Sequence, residues 1–266
     1  MYPELKPYVV LITGGASGLG LAAAHGFAKE GATIVIADLQ EAAAVGVAFA
    51  LTPLPKAHLV GMPLRREIEI LIDSIAGSPD LPAAKANARK FFGLSPDSTT
   101  LLVTGGSLGA KRINETIEES RKVLSAAGIQ VLHIVGGRSD LEAVNTPDYV
   151  RISYCDRMDL AILASDFAVS RAGSSTVSEF TAVGLPAAYV PYPIGNGEQR
   201  LNAMDLVEAG RAKIVQQSDF DAHYVQENIK RLLDQSEKTH IEGDPTELLA
   251  AEKIVNLIEY VSQGSR

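Results

Sequence analysis

From Thr99 onward the chain alternates short apolar runs with stretches of helical spacing. The strands read LLVT (101–104), VLHIV (131–135), YVRIS (149–153), FAVS (167–170), AAYVP (187–191) and AKIVQ (212–216). Helices are expected over 83–92, 110–127, 157–164, 175–183, 197–209 and 221–234. Unbroken apolar runs suit strands covered on both faces, and the intervening helices supply the long crossovers that parallel neighbours require. The expected fold class is therefore α/β with a doubly wound parallel sheet.

The N-terminal part spells a separate βαβ unit: strand YVVLIT (8–13), a helix from Leu19 to Glu30 stopped by Gly31, and strand TIVIA (33–37) ending at Asp38. Beyond Gln40, two brief strands are expected at Val45 to Phe49 and His58 to Val60, split by Pro53 and Pro55. A boundary falls near Met62 to Arg66, residues 72–82 read as linker, and after a polar stretch at 235–245 a last amphipathic helix runs from Thr246 to Val261. The division expected is a reduced N-terminal lobe (1–62), a larger lobe (63–245) and a C-terminal helix (246–266) that crosses back to the first lobe.

Charge and composition narrow the partners. With 24 Lys and Arg against 32 Asp and Glu, the formal charge of −8 disfavours a long nucleic acid, leaving small anions held by local donors. The single cysteine, Cys155, can form neither an internal disulfide nor a cysteine cage for metal. None of the five histidines pairs with another at metal-ligand spacing, and all five read as structural or solvated. The longest apolar stretch, Ala42 to Leu51, falls short of the roughly 20 residues of a membrane span. With no leader pattern, a cytoplasmic protein without a transmembrane segment is expected.

Two glycine-rich turns follow strands, TGGASGLG (13–20) and TGGSLGA (104–110). In the first, Gly14, Gly18 and Gly20 free the backbone to turn tightly, Ser17 lies within the turn, and the next helix can offer its N-terminal amides to a diphosphate. Asp38 at the end of the second strand suits both ribose hydroxyls of an adenosine, which favours NAD over NADP. Residues 8–40, VVLITGGASGLGLAAAHGFAKEGATIVIADLQ and its flanks, resemble the opening of a short-chain dehydrogenase/reductase. That resemblance implies a Tyr-x-x-x-Lys pair, but no Tyr downstream of the loop has a Lys four positions later. A scaffold role for this βαβ therefore stands beside NAD binding, with NAD-dependent reduction as a distant alternative.

The second turn brings different company. TPLPKAHLVGMPLRREI (52–68), LLVTGGSLGAKRINE (101–115), SRAGSSTVSEFTAVGLPAAYVPYP (170–193) and GNGEQRLNA (195–203) stand in order along the chain. Gly105, Gly106 and Gly109 lead into a helix with Ser107 placed to donate to a phosphate, though the same letters would also serve a plain tight turn. Ser174, Ser175 and Thr176 open another helix with hydroxyl and amide donors, or simply cap it. Glu179, one turn further on, can accept from two ribose hydroxyls while a diphosphate lies on the helix end. Gln199, Arg200 and Asn202 suit the hydroxyls of a neutral sugar.

These four blocks resemble the MurG-type transferases, which move N-acetylglucosamine from UDP to a lipid-linked muramyl-pentapeptide in peptidoglycan synthesis. The resemblance implies two Rossmann-like lobes of GT-B type, with the N-terminal lobe here much reduced, and UDP-N-acetylglucosamine as donor. It implies no required cofactor. It also implies contact of Glu179 with the uridine ribose, a uracil pocket at Tyr154, Cys155 and Asp156 with Met158 nearby, and Arg65 close to the donor. Cys155 then reads as a small filler of the base pocket rather than a nucleophile.

The departures concern the acceptor. The family's GGTGGH-type loop, whose histidine is the candidate base, is replaced by TGGASGLG, and His25 lies within the following helix. Losing a general base costs about 10² to 10⁴ in rate, whereas losing the surface that positions an acceptor forfeits an effective molarity of about 10⁵ M or more. Weak or absent transfer is expected, no catalytic residue is assigned, and binding of the lipid-linked acceptor is in doubt. The seam near Gln40 to Val45 reads as recombination of two families, so a nucleotide-binding chimera without turnover is the alternative.

Overall fold

The structure is a computed structural model that describes residues 8–13, 18–37, 62–76, 78, 80–193, 198–238 and 250–264. The chain separates into two compact units, Met1–Leu64 with Pro245–Arg266, and Arg65–Asp244.

In the first unit, β1 (Val9–Thr13) and β2 (Thr33–Ala37) pair in parallel with Thr13 opposite Ala37, and α1 (Gly18–Lys29) makes the crossover. Ile12, Ala24 and Val35 are buried between them. The final helix, Ala250–Gly264, packs against β1 and buries Ala250 and Ile254. The strands expected at 45–49 and 58–60 lie outside the described residues.

The second unit is a seven-stranded sheet. Its strands are β3 (Thr99–Thr104), β4 (Ile129–Ile134), β5 (Val144–Thr146), β6 (Tyr149–Ile152), β7 (Phe167–Ser170), β8 (Ala187–Tyr189) and β9 (Ala212–Ile214), in the order β5-β6-β4-β3-β7-β8-β9. All neighbours are parallel except the edge pair β5 and β6. The central strand β3 is buried from Thr100 to Thr104 and β4 along its whole length, as strands with helices on both faces must be.

Eight helices of this unit are described: α2 (Arg66–Ile75), α3 (Leu81–Phe91), α4 (Lys111–Ala126), α5 (Met158–Ala164), α6 (Ser174–Val183), the short pair α7 (Glu198–Asn202) and α8 (Met204–Glu208), and then α9 (Ala222–Lys238). On α4, Ile113, Ile117 and Leu124 recur at helical spacing and are buried against Leu101, Val103, Val131 and Val169, with Val225 and Ile229 of α9 in the same core. The opposite face is covered by α2, α3, α5 and α6, where Leu71, Ala88, Leu163 and Ala164 cluster.

Several local expectations differ from the structure. Residues 72–75, expected as linker, complete α2, whose Ile68, Leu71 and Ile72 are buried. Residues 235–238, expected as polar loop, continue α9. The helix expected over 197–209 breaks at buried Ala203, next to Asn202, whose side-chain amide donates to the Ala172 carbonyl at 3.0 Å. The edge strand β5 has only three residues and carries no apolar run that would announce it.

The two ends of the sheet are built differently. At the N-terminal end of the strands, Asp166 accepts from Arg89 Nη2 on both carboxylate oxygens (2.9 and 2.8 Å), from Lys85 Nζ (2.5 Å) and from the Thr100 amide (2.8 Å), which clamps α3 to the sheet. Gln130 joins the same end by accepting from the Ser95 amide and donating to Thr100 Oγ1. At the C-terminal end the strands open into glycine-containing loops. Gly109 and Gly136 have φ of 84° and 87°, and each faces the other's backbone so closely that a Cβ on Gly109 would lie 2.2 Å from the Val135 oxygen.

A side chain therefore has neither a relaxed conformation nor space at position 109. Gly109→Ala is expected to lower stability by about 2 to 5 kcal/mol, combining left-handed strain with overpacking. Denaturant unfolding measures it, and an unchanged midpoint would show that the loop is looser than this packing implies.

Candidate functional site

The connections out of the central strands locate the site. After β3 the chain passes through α4 on one face to β4, and after β7 it passes through α6 on the other face to β8. Because β3 and β7 are neighbours, with Thr104 opposite Ser170, the loops that follow them diverge from one point on the sheet edge. In open α/β sheets that divergence opens a crevice at the carboxyl ends of the strands, where ligands bind. Gly106 and Ser107 lie in the first loop, and Ser174, Ser175 and Thr176 follow directly on the second.

In the first loop Gly106 has φ of 82°, its amide reaches Thr104 Oγ1 (3.3 Å), and its carbonyl accepts from the Gly109 amide (3.0 Å). The Ser107 carbonyl accepts from the Gly137 amide (2.9 Å), while Ser107 itself is exposed. The backbone is thus held by neighbouring loops, leaving the Ser107 hydroxyl available to a ligand. Behind it, Asn114 of α4 donates to the Val135 carbonyl (2.9 Å) and contacts His133 Nε2 through its oxygen (3.1 Å), so a buried polar chain supports the turn.

The helix α6 starts without a side-chain cap: Gly173 occupies the cap position and makes no side-chain hydrogen bond. The self-capping role open to Ser174, Ser175 and Thr176 is not used, and the first amides of a ten-residue helix keep their partial positive charge. Ser175 and Thr176 stand four and three residues before Glu179, which places the three on one helix face.

Glu179 is 5% exposed, and both of its carboxylate oxygens accept from Arg65: Nε to Oε1 and Nη2 to Oε2, each at 2.6 Å. The Arg65 side chain stays half exposed, and its hydrogen bonds to Glu179 push its pKa above the usual guanidinium value. The two residues are 114 positions apart, and their direct pairing is something sequence spacing did not announce. A carboxylate offers roughly four acceptor directions, so a bidentate arginine leaves room for hydroxyl donors on the outer lone pairs.

Cys155 is buried, and burial raises its thiol pKa while Arg65 lowers it, which places the two within electrostatic reach. A thiol so raised is a poor nucleophile at neutral pH. Its neighbour Tyr154 is exposed, and Met158 opens α5.

The third group gathers at the same edge. Gln199 Oε1 accepts from the Tyr192 amide (2.9 Å) beyond β8, and Asn202 donates to Ala172 beyond β7. Arg200, between them on α7, is exposed. Missed at the sequence level was Arg171: it is buried at the end of β7 and donates to the Val190 and Pro191 carbonyls and to Gln217. Its position directly after a core strand and before Gly173 was the available signal.

Of the residues expected at the first glycine loop, Gly18 and Gly20 lie in the first turn of α1, whereas Gly14, Ser17 and Asp38 lie outside the described residues. The Tyr-x-x-x-Lys spacing does occur once, at Tyr2 and Lys6, which precede β1 and also lie outside them. Among the described residues there is no His, Cys, Asp or Glu cluster able to hold a metal ion, and no helix long and apolar enough to cross a membrane.

Comparison with known proteins gives two family matches in one chain. The short chain dehydrogenase family matches residues 8–70. Residues 100–258 match the glycosyltransferase family 28 C-terminal domain. The UDP-N-acetylglucosamine--N-acetylmuramyl-(pentapeptide) pyrophosphoryl-undecaprenol N-acetylglucosamine transferase of Leifsonia xyli subsp. xyli is 53% identical over 189 residues, covering 71% of this chain and 51% of that protein. The enzyme of the same name from Streptomyces coelicolor is 47% identical over 196 residues, covering 72% and 52%. The chain thus spans about half the length of the curated relatives it matches.

Among solved structures, MurG of Acinetobacter baumannii superposes with a TM-score of 0.62 at 20% identity, over 92% of this chain and 72% of that one. The glycotransferase of kitacinnamycin gives 0.54 at 13%, over 94% and 75%. These likenesses place the fold among the GT-B glycosyltransferases. With more than half of its residues matched by that C-terminal domain, the chain belongs to glycosyltransferase family 28.

Proposed function

We propose that this protein binds UDP-N-acetylglucosamine in the Arg65–Asp244 unit, as the donor half of a MurG-like hexosyltransferase of peptidoglycan synthesis, and that its transfer to the lipid-linked acceptor is weak or absent. The observation that carries the reading is Glu179: a carboxylate buried on α6, paired with Arg65, one turn behind an uncapped helix start. Uridine ribose would donate to Glu179, the diphosphate would lie on the amides of α6 and on Ser107, and uracil would rest against the main chain at Tyr154–Asp156 beside Cys155. Gln199, Arg200 and Asn202 would meet the sugar hydroxyls. Both described side chains among these that now bond to backbone, Gln199 and Asn202, can exchange those bonds for hydroxyls of the ligand.

The dehydrogenase match at residues 8–70 supports the second half of the proposal, because it covers the stretch where the resemblance to the MurG-type transferases would put the histidine-bearing GGTGGH-type loop. NAD binding at that first loop is a separate reading that rests on the β1–α1–β2 unit and needs no donor site.

Calorimetric titration of the full chain with UDP, UDP-N-acetylglucosamine and NAD tests these readings. Binding of both uridine ligands at a single site is the expected result, and its absence would remove the proposal. NAD binding weakened by Gly18→Val would establish the second reading. Transfer of labelled sugar to a lipid acceptor at rates typical of such enzymes would overturn the claim of weak turnover.

A further inference from the structure

Beside the glycine loop, a cleft of about 710 Å³ opens at the carboxyl ends of the strands, and of the donor-site candidates only Gly109, at the end of that loop, lines it. Its walls come from the end of the loop and the start of α4, from the segment after β4, and from Arg171, Tyr192 and Gln217 beyond β7, β8 and β9. All of these belong to the Arg65–Asp244 unit.

The charge of the cleft runs against that of the chain. Lys111, Arg112, Arg138 and Arg171 line it against only Glu115 and Asp140, in a protein whose net charge is −8. Lys111 is partly answered by Glu115 at 3.7 Å, and Arg112 donates to the Phe220 carbonyl. Arg138 is exposed and makes no ion pair among the described residues.

Arg171 is the decisive group. It is only 9% exposed, yet every acceptor it has among the described residues is neutral: the Val190 and Pro191 carbonyls at 2.9 and 3.1 Å, and Gln217 Oε1 at 2.6 Å. Buried charges are ordinarily paired, because desolvating an ion without a counter-charge is costly. Burial pulls the guanidinium pKa below its usual value, in keeping with a cation that has been desolvated. Tyr192, half exposed and 5.3 Å from the Arg171 guanidinium at its ring centre, leaves a flat face open to the same cleft.

We propose that this cleft is a second anion site, distinct from the nucleotide-sugar site, that takes the diphosphate group of a phosphorylated ligand. One end of the diphosphate would neutralise Arg171, and the other would meet Arg138 and the uncapped amides at the start of α4, whose cap residue Ala110 offers no side-chain bond. Two separated guanidinium groups, one buried and one exposed, suit two linked phosphates better than one.

Titration of the full chain with inorganic pyrophosphate, at low salt and with UDP saturating, is the test. The expected result is one pyrophosphate per chain, bound about tenfold or more weakly by Arg138→Gln and by Arg171→Gln, and unchanged by Glu179→Gln. Arg138 is exposed and makes no ion pair among the described residues, so its variant keeps the fold and decides the matter even where Arg171→Gln does not. No binding, an Arg138→Gln affinity equal to that of the unsubstituted chain, or loss of pyrophosphate when UDP is added would each overturn the proposal. Failure of UDP to bind would leave the pyrophosphate titration fully readable, so the two readings fail separately.

Discussion

Glu179→Ala is expected to weaken binding of UDP-N-acetylglucosamine by about a hundredfold. Two hydroxyl bonds to a charged acceptor contribute about 3 kcal/mol together, and 1.4 kcal/mol corresponds to a factor of ten. The carboxylate is buried at 5% exposure on α6, so no neighbouring water-exposed acid can take over its position relative to the helix start. Glu179→Gln retains the volume but loses the charge, and should fall between the two. Folding is a separate matter. Arg65 is half exposed and can be hydrated once its partner is removed, which limits the ion pair's share of stability to about 1 kcal/mol or less. Calorimetric titration with a melting curve for each variant reads both quantities, and donor affinity unchanged in Glu179→Ala would remove the carboxylate from the site.

The second large effect is a loss of stability in acid that originates in the core. His133 lies in β4 with no exposed surface, and burial first, then the charge of Arg151, pulls its pKa from 6.5 down to about 3. Asn114 donates its amide to Val135 and therefore presents its oxygen to His133 Nε2, which must carry the proton. Nδ1 is then free to accept from the Tyr149 hydroxyl at 2.6 Å. The imidazole is neutral and its tautomer is set by its neighbours.

The unfolded chain binds a proton at this residue near pH 6.5, the folded chain only near pH 3, so the contribution is intact above pH 6.5 and declines as pH falls toward 3. The slope is about 1.4 kcal/mol per pH unit, or roughly 3 kcal/mol by pH 4.5. Denaturant unfolding at about pH 7 and pH 4.5 measures it. His133→Gln, which keeps one donor and one acceptor, should flatten the difference by that amount. The same slope in both proteins would mean that the histidine is not held neutral.

How much of this was legible beforehand depended on the range of the interaction involved. The β-strands at 101–104 and 167–170 and the helices on 111–126 and 174–183 followed from apolar runs and helical spacing, which are written in consecutive residues. The edge strand β5 was not legible, because three residues with little burial leave no pattern. The break at Ala203 was also hidden, since it accompanies a bond from Asn202 to a carbonyl thirty residues away.

Among the candidate site residues, Ser107, Ser174, Ser175, Thr176 and Glu179 could be named from motifs, and Arg65 from the block that precedes α2. That Arg65 grips Glu179 with both nitrogens could not, nor could the exclusion of Arg171 from any carboxylate. His133 could be placed in a core strand from sequence, but its burial between Asn114 and Tyr149 could not.

The amino-acid order alone determined the elements, the glycines at φ near 84° and the glycine- and serine-bearing helix starts, because torsions and local periodicity are properties of neighbouring residues. Tertiary structure decided that β3 and β7 lie side by side, which acid meets which guanidinium, and which cation is buried without a counter-charge. Those outcomes turn on desolvation and on packing between segments far apart in the chain, and neither quantity exists until the chain has closed upon itself.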